Sequence, residues 1–114
     1  MLRLWHNPRC SKSRAAKALL EERGTDFEEY RYLETPPDAA MLETVLTKLG
    51  VSAAALVARR GEAAWKEQGL TTDSTDDEVR AAMVAAPILI ERPILEGDDR
   101  AIVGRPPEAI LDLL

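Results

Sequence analysis

The 114-residue chain has a single cysteine and a single histidine. One cysteine permits no intramolecular disulfide, which excludes a stapled secreted scaffold and means that any redox cycle must take its second thiol from another molecule. One histidine and one cysteine, without a carboxylate cluster at ligand spacing, leave no metal site. No apolar run approaches the roughly 20 residues that cross a bilayer, so no membrane association is expected. The start, Met1 to Cys10, turns polar too early for a secretory signal, so the expected compartment is the cytoplasm. Internal repeats, linkers and low-complexity tracts are also missing. So is an excess of positive charge: the net charge of −5 argues against a nucleic-acid partner held by bulk electrostatics. What is present is ordinary for a globular protein, 46% hydrophobic and 31% charged residues, in a length that suits one domain with one core.

Charge is unevenly placed. Arg3, Arg9, Lys12, Arg14 and Lys17 crowd the region around the cysteine, whereas acids dominate positions 21 to 38 and 73 to 78. An acidic protein with a basic rim around one thiol is arranged to receive a small anion rather than a polyanion.

Hydrophobic periodicity gives the order of elements. Residues 2 to 6 alternate as a short strand, and Asn7-Pro8 turns the chain, because Pro8 keeps Asn7 out of the helical region. A helix follows from about Ser11 to Arg23, with an expected apolar stripe of Ala15, Ala18, Leu19 and Leu20, stopped by Gly24. Phe27 to Leu33 reads as a second strand, which makes a β-α-β unit with a parallel pair. Thr35-Pro36-Pro37-Asp38 opens a helix through Met41, Leu42, Val45, Leu46 and Leu49, ended by Gly50. Residues 52 to 68 suggest two short helices broken near Gly61. The acidic run Asp73 to Glu78 caps a further helix that reaches Ala85. Glu96-Gly97-Asp98-Asp99 signals a hairpin, with Ala101 to Val103 as the return strand. Pro106-Pro107-Glu108 opens a last helix carrying Ile110, Leu111 and Leu114. The reading is an α/β fold of one domain over residues 1–114. Its order is that of a thioredoxin-like fold with a helical insertion, about 37–86, between the β-α-β and β-β-α halves.

Cys10 falls between a strand end and a helix start. The free N–H groups of a first helical turn favour a thiolate, and Arg9, Lys12 and Arg14 add cationic field in the same sense. Those N–H groups and the Ser13 hydroxyl can also donate to an oxyanion. A lone cysteine is more often a small buried apolar residue than a nucleophile, but charged and polar neighbours at a turn reverse that preference. Ser13 stands where a C-x-x-C pair would have its second cysteine. His6 is either a satisfied strand-end residue or a group that sets the charge around Cys10. Arg92, Arg105 and one of Arg59 or Arg60 are candidate oxyanion ligands, because arginine's planar donors suit bidentate binding. Each of them is otherwise a surface residue, and spacing alone does not bring them together.

His6-Asn7-Pro8-Arg9-Cys10-Ser11-Lys12-Ser13-Arg14 resembles the H-N-P-x-C-x-x-S-R segment of the glutaredoxin-dependent arsenate reductase family. Tyr32-Leu33-Glu34-Thr35-Pro36-Pro37 is similar to its Y-L-x-x-P-P segment. Pro87 to Ile94 and Gly104-Arg105-Pro106-Pro107-Glu108 resemble its last two motifs, so the likeness runs in order over nearly the whole chain. The resemblance implies an oxidoreductase with Cys10 as nucleophile, supported by His6, Ser13 and Arg14. It implies an arginine triad of Arg59, Arg92 and Arg105 on arsenate, with Arg60 the alternative to Arg59. Pro93 looks like the cis-proline of the fold. The resemblance further implies no bound cofactor, glutathione as external reductant, glutaredoxin as the resolving partner, and arsenite as product. The chain stops soon after the last motif, which resembles a compact branch of the family. Two other activities remain in view: a general glutathione-linked thiol oxidoreductase, and a noncatalytic RNA polymerase-binding regulator of the related type. Such regulators often carry a C-x-x-C pair and another arginine pattern, so Ser13, Arg92 and Arg105 disfavour the second.

Overall fold

The computed structural model describes residues 1–58 and 62–114. The chain divides into two compact units, one of Met1–Thr35 with Arg92–Leu114 and the other of Pro36–Glu91.

In the first unit the strand β1 (Leu2–Trp5) leads through Cys10 into the helix α1 (Ser11–Glu22) and back to β2 (Phe27–Tyr30). β1 and β2 are parallel, with Leu2 opposite Phe27 and Trp5 opposite Tyr30. Alternation places Leu2, Leu4 and Phe27 on one face of the sheet. There they meet Ala16 and Leu20 of α1, with Leu95, Ile102 and Ile110 completing the cluster. Each fully buried leucine or isoleucine of that cluster contributes roughly 1.5–3 kcal/mol. On the opposite face, Trp5 Nε1 donates to Glu96 Oε1 at 3.0 Å and the Trp5 ring meets Tyr30 edge-on at 5.0 Å.

α1 buries Ser13, Ala16 and Leu20; of the expected stripe only Leu20 is fully buried, for Ala15 and Ala18 are exposed and Leu19 is half-buried. The spacing of three and four residues is helical in both readings. Small alanines do not mark a face, and the polar Ser13 is buried because it finds partners inside. α1 stops where Gly24, at φ +63°, donates its N–H to the Glu21 carbonyl and Thr25 donates to Leu20. β2 is shorter than the expected Phe27–Leu33. Beyond Tyr30 the chain curls, Glu34 and Thr35 both donating to the Arg31 carbonyl, although the alternating pattern continues.

The unit is completed by β3 (Ile94–Glu96), β4 (Ala101–Val103) and a 3-10 helix, Pro107–Leu113. That last segment keeps Ile110 buried but is not the expected α-helix, and Leu114 is exposed. The strand order is β2-β1-β3-β4, with β3 antiparallel to both β1 and β4. This is the thioredoxin-like arrangement.

The second unit is helical. α2 (Ala39–Leu49) begins at Asp38, whose carboxylate accepts from Met41 N at 2.8 Å, and ends at Gly50 with φ +70°. α3 (Glu62–Glu67) and α4 (Asp76–Ala85) follow. α4 opens with a reciprocal cap: Thr75 Oγ1 accepts from Glu78 N and Glu78 Oε1 accepts from Thr75 N. Leu42, Val45, Leu46, Leu56, Val79, Met83 and Leu89 are buried in this unit. A short bridge joins Val57 to Ile90. Arg59, Arg60 and Gly61 lie outside the described residues, so the expected insert arginine and helix break lie there too. Among the described residues no helix is long and apolar enough to cross a membrane.

Candidate active site

The loop from His6 to Cys10 is fixed by its own polar groups. His6 N donates to the Tyr30 carbonyl at 2.8 Å, extending the β1–β2 pairing by one residue. Asn7 then becomes the fulcrum. Its carbonyl accepts from Cys10 N at 3.0 Å, its side-chain Oδ1 accepts from Arg9 N at 3.0 Å, and its N–H donates to Ser13 Oγ at 3.0 Å. Ser13 Oγ also shares a 2.7 Å hydrogen bond with His6 Nδ1. Ser13, His6 and Asn7 are all buried, so these bonds exclude water and brace the loop against α1. Arg14 Nη1 donates to the Pro8 carbonyl at 2.9 Å from the outer side.

Cys10 is left as the N-cap residue of α1, with extended backbone (φ −92°, ψ 123°), and its carbonyl accepts from Arg14 N. Its side chain is 9% exposed. Its side chain makes no capping hydrogen bond. Burial pushes its pKa up. The N–H groups of Ser13 and Lys12, then the Arg92 guanidinium, outweigh that and bring it below the ordinary thiol value. The sulfur is therefore shielded from bulk water but faces donors and positive charge, not hydrocarbon. His6 moves below its ordinary value chiefly through burial; Glu29 opposes the shift, and Lys17, Arg31 and Arg14 add to it.

Arg92 and Arg105, 13 positions apart, are brought together by the hairpin. β3 and β4 pair Ile94 with Val103 and Leu95 with Ile102. The ladder continues beyond the strands, where Gly104 N donates to the Pro93 carbonyl at 2.8 Å. One step further Arg92 stands opposite Arg105, whose Nε donates to the Arg92 carbonyl at 2.8 Å. Each arginine precedes a cis proline, Pro93 and Pro106. Arg92 is 4% exposed and its guanidinium acts on Cys10, whereas Arg105 is exposed. Gly104 permits the close approach, because a Cβ there would lie 2.8 Å from Pro93 Cγ.

Of the sequence-derived candidates, Cys10, His6, Ser13, Arg14, Arg92 and Arg105 all lie in the first unit. Asn7 was missed as a positioning residue. Its only sequence signal is its place before Pro8, which marks a turn without saying which polar groups hold it. No three or more His, Cys, Asp or Glu side chains converge as a metal-binding group among the described residues.

Fold and site together define a thioredoxin-like domain that presents one thiolate-favouring cysteine at a helix start, with two arginines paired across a hairpin end. Residues 5–113 match the ArsC family, and the chain belongs to it. The chain is 46% identical to a Neisseria meningitidis (serogroup A) protein named arsenate reductase, over 110 residues covering 96% of this chain and 94% of that protein. It is 36% identical to an arsenate reductase of Escherichia coli K12, over 97% of this chain and 79% of that one. The solved structure of an arsenate reductase from Vibrio cholerae is similar at a TM-score of 0.92 and 40% identity, covering 99% of this chain and 97% of that chain.

Proposed function

We propose that this chain is a cytoplasmic oxidoreductase that reduces arsenate to arsenite, with Cys10 as nucleophile and glutathione and glutaredoxin as its thiol supply. One observation carries the reading: the Cys10 thiol, although shielded, has its pKa lowered by the N–H groups of Ser13 and Lys12 and by Arg92. A thiolate at neutral pH is the requirement for attack on an electrophilic centre. The arsenate reductase names of the relatives supply the substrate.

In the proposed cycle the Cys10 thiolate attacks arsenic(V). A sulfur–arsenic bond forms and one oxygen, protonated, leaves as water. A glutathione sulfur then attacks Cys10 Sγ, the sulfur–arsenic bond breaks, and its electron pair stays on arsenic. Arsenic passes from +5 to +3 and departs as arsenite, while two thiols have lost two electrons to become a mixed disulfide. A glutaredoxin thiolate takes the glutathionyl sulfur and Cys10 leaves as thiolate. Arg92 and Arg105 offer planar donors to the arsenate oxygens and to the charge that builds on them. Arg59, or Arg60 beside it, is the third arginine by family resemblance alone. His6 and Ser13 hold the loop, and Arg14 holds Pro8.

An NADPH-coupled assay with glutathione, glutathione reductase and glutaredoxin tests the proposal. Turnover must depend on arsenate and vanish in Cys10→Ser. Turnover with thioredoxin but not glutaredoxin would reassign the partner, and no turnover with either would remove arsenate as substrate. Faster reduction of a glutathionylated peptide than of arsenate would favour a general glutathione-linked thiol oxidoreductase.

A further inference from the structure

Before Glu21 the chain carries Arg3, Arg9, Lys12, Arg14 and Lys17 and no acid. Two of these cations are compensated. Arg3 meets Glu28 at 3.4 Å and Glu96 at 3.7 Å, and Lys17 meets Glu29 at 2.6 Å. Arg9, Lys12 and Arg14 are exposed and pair with no carboxylate among the described residues. Arg14 donates to the Pro8 carbonyl, a neutral acceptor that leaves its charge intact. On a protein of net charge −5, three uncompensated cations around one sulfur form a local field opposite in sign to that of the whole molecule.

Position separates this rim from the buried donors. Cys10 and Arg92 are 9% and 4% exposed, whereas the rim side chains stand in water. The rim therefore acts on a molecule large enough to reach the sulfur while keeping its own charges outside. Glutathione has that form: its cysteine lies between a carboxylate at each end of the tripeptide. Arg9 precedes Cys10 and Lys12 follows it by two residues. In sequence a cation lies on either side of Cys10, as a carboxylate lies on either side of the glutathione sulfur, so the two molecules carry opposite charge where they meet.

We propose that Arg9, Lys12 and Arg14 form a docking rim for glutathione, which selects anionic thiols and disulfides at Cys10. The proposal rests on the reading of Cys10 as an exchange-competent thiolate, and it is independent of arsenate as substrate.

The test is thiol–disulfide exchange on the whole chain. Reduced protein is mixed with glutathione disulfide (anionic), bis(2-hydroxyethyl) disulfide (neutral) or cystamine (cationic). Cys10 attacks one sulfur, the S–S bond breaks, a mixed disulfide forms and the other half leaves as a thiolate. Rates are normalised to those of a small neutral thiol, which removes the intrinsic reactivity of each disulfide. The normalised ratio of glutathione disulfide to cystamine is expected to exceed about 10 at low salt and to fall toward about 1 near 0.5 M salt. The double variant Arg9→Gln/Lys12→Gln is expected to lose roughly fivefold or more of that ratio, a quantity in which any change in thiolate fraction cancels. A ratio near one in the native chain, or one unchanged by the double variant, overturns the rim while leaving the thiolate intact. Failure of Cys10 to react with any of the three overturns the thiolate reading, and the rim with it. A charge-selective Cys10 in a protein that does not reduce arsenate supports the rim and refutes only the substrate.

Discussion

Replacing Ser13 with alanine removes one oxygen from α1 and leaves two partners stranded. The Asn7 N–H loses its acceptor at 3.0 Å and His6 Nδ1 loses its partner at 2.7 Å. Ser13 is completely buried, with His6 and Asn7 at 2% and 7% exposure, so water is not at hand to replace the hydroxyl. Each buried polar group left without a partner costs about 1–3 kcal/mol, partly relieved by relaxation of the loop, so a total of about 2–4 kcal/mol is expected. For a chain of this length that corresponds to a fall in Tm of roughly 8–15 °C. Urea titration gives the free energy directly, and the m-value should not change, because the surface exposed on unfolding is the same. The substitution spares the Ser13 N–H that acts on Cys10. A protein lowered in stability but still alkylated through a depressed thiol pKa would separate the two functions of this residue. A loss below about 0.5 kcal/mol would refute the accounting, for it would mean that the stranded groups find other partners at once.

Arg92→Met keeps a buried stem and removes the charge facing Cys10. The midpoint of the alkylation–pH profile should then move up toward that of an ordinary thiol, and kcat/KM for arsenate should drop roughly 100- to 1,000-fold; an unmoved midpoint would deny the contact. Glu29, held at about 2 first by Lys17 and then by Arg31, has its folded pKa below its unfolded one. Its stabilisation is therefore present above about pH 4.5 and lost as pH falls toward 2. With Lys17 and Glu29 both partly exposed, Glu29→Gln should cost only about 1 kcal/mol at pH 7 in chemical denaturation, a difference that closes across that acid window. In Gly104→Ala the new methyl would sit 2.8 Å from Pro93 Cγ and 3.1 Å from Ile110 Cγ2, so a loss of about 1–3 kcal/mol is expected, read by thermal melts.

The elements that announced themselves were those with punctuation in the chain. Gly24 and Gly50 mark helix ends, and the acidic run Asp73 to Glu78 holds the cap of α4, by chemistry that acts over three or four residues; Asp38, expected inside the first turn of a helix begun at Thr35 or Pro37, is the N-cap itself. What depended on longer-range geometry was read less well. Alternation carried the expected second strand through Leu33, although the chain leaves the sheet after Tyr30, since a turn that keeps Tyr32 buried preserves the same pattern. The buried face of α1 was misplaced because Ser13 is polar and its burial depends on His6 and Asn7. At the site, Cys10 was legible from its helix-start position. The meeting of Arg92 with Arg105 was not legible from spacing, because it follows from hairpin register; only the family resemblance implied it. Asn7 was hidden for a similar reason: two of its three bonds in the loop use backbone atoms, which any residue carries.

The hairpin also governs which length changes the protein can absorb. From Gly97, which donates to the Arg100 carbonyl, to Arg92 opposite Arg105, every step is one rung of a single ladder. Residues added at the exposed tip, Asp98 to Arg100, lengthen only the overhang and leave Arg92 and Arg105 opposite one another. A single residue inserted or deleted between Ala101 and Gly104 would turn Arg105 to the reverse side of the sheet. The tip of this ribbon can take up added length, while its root is locked in phase.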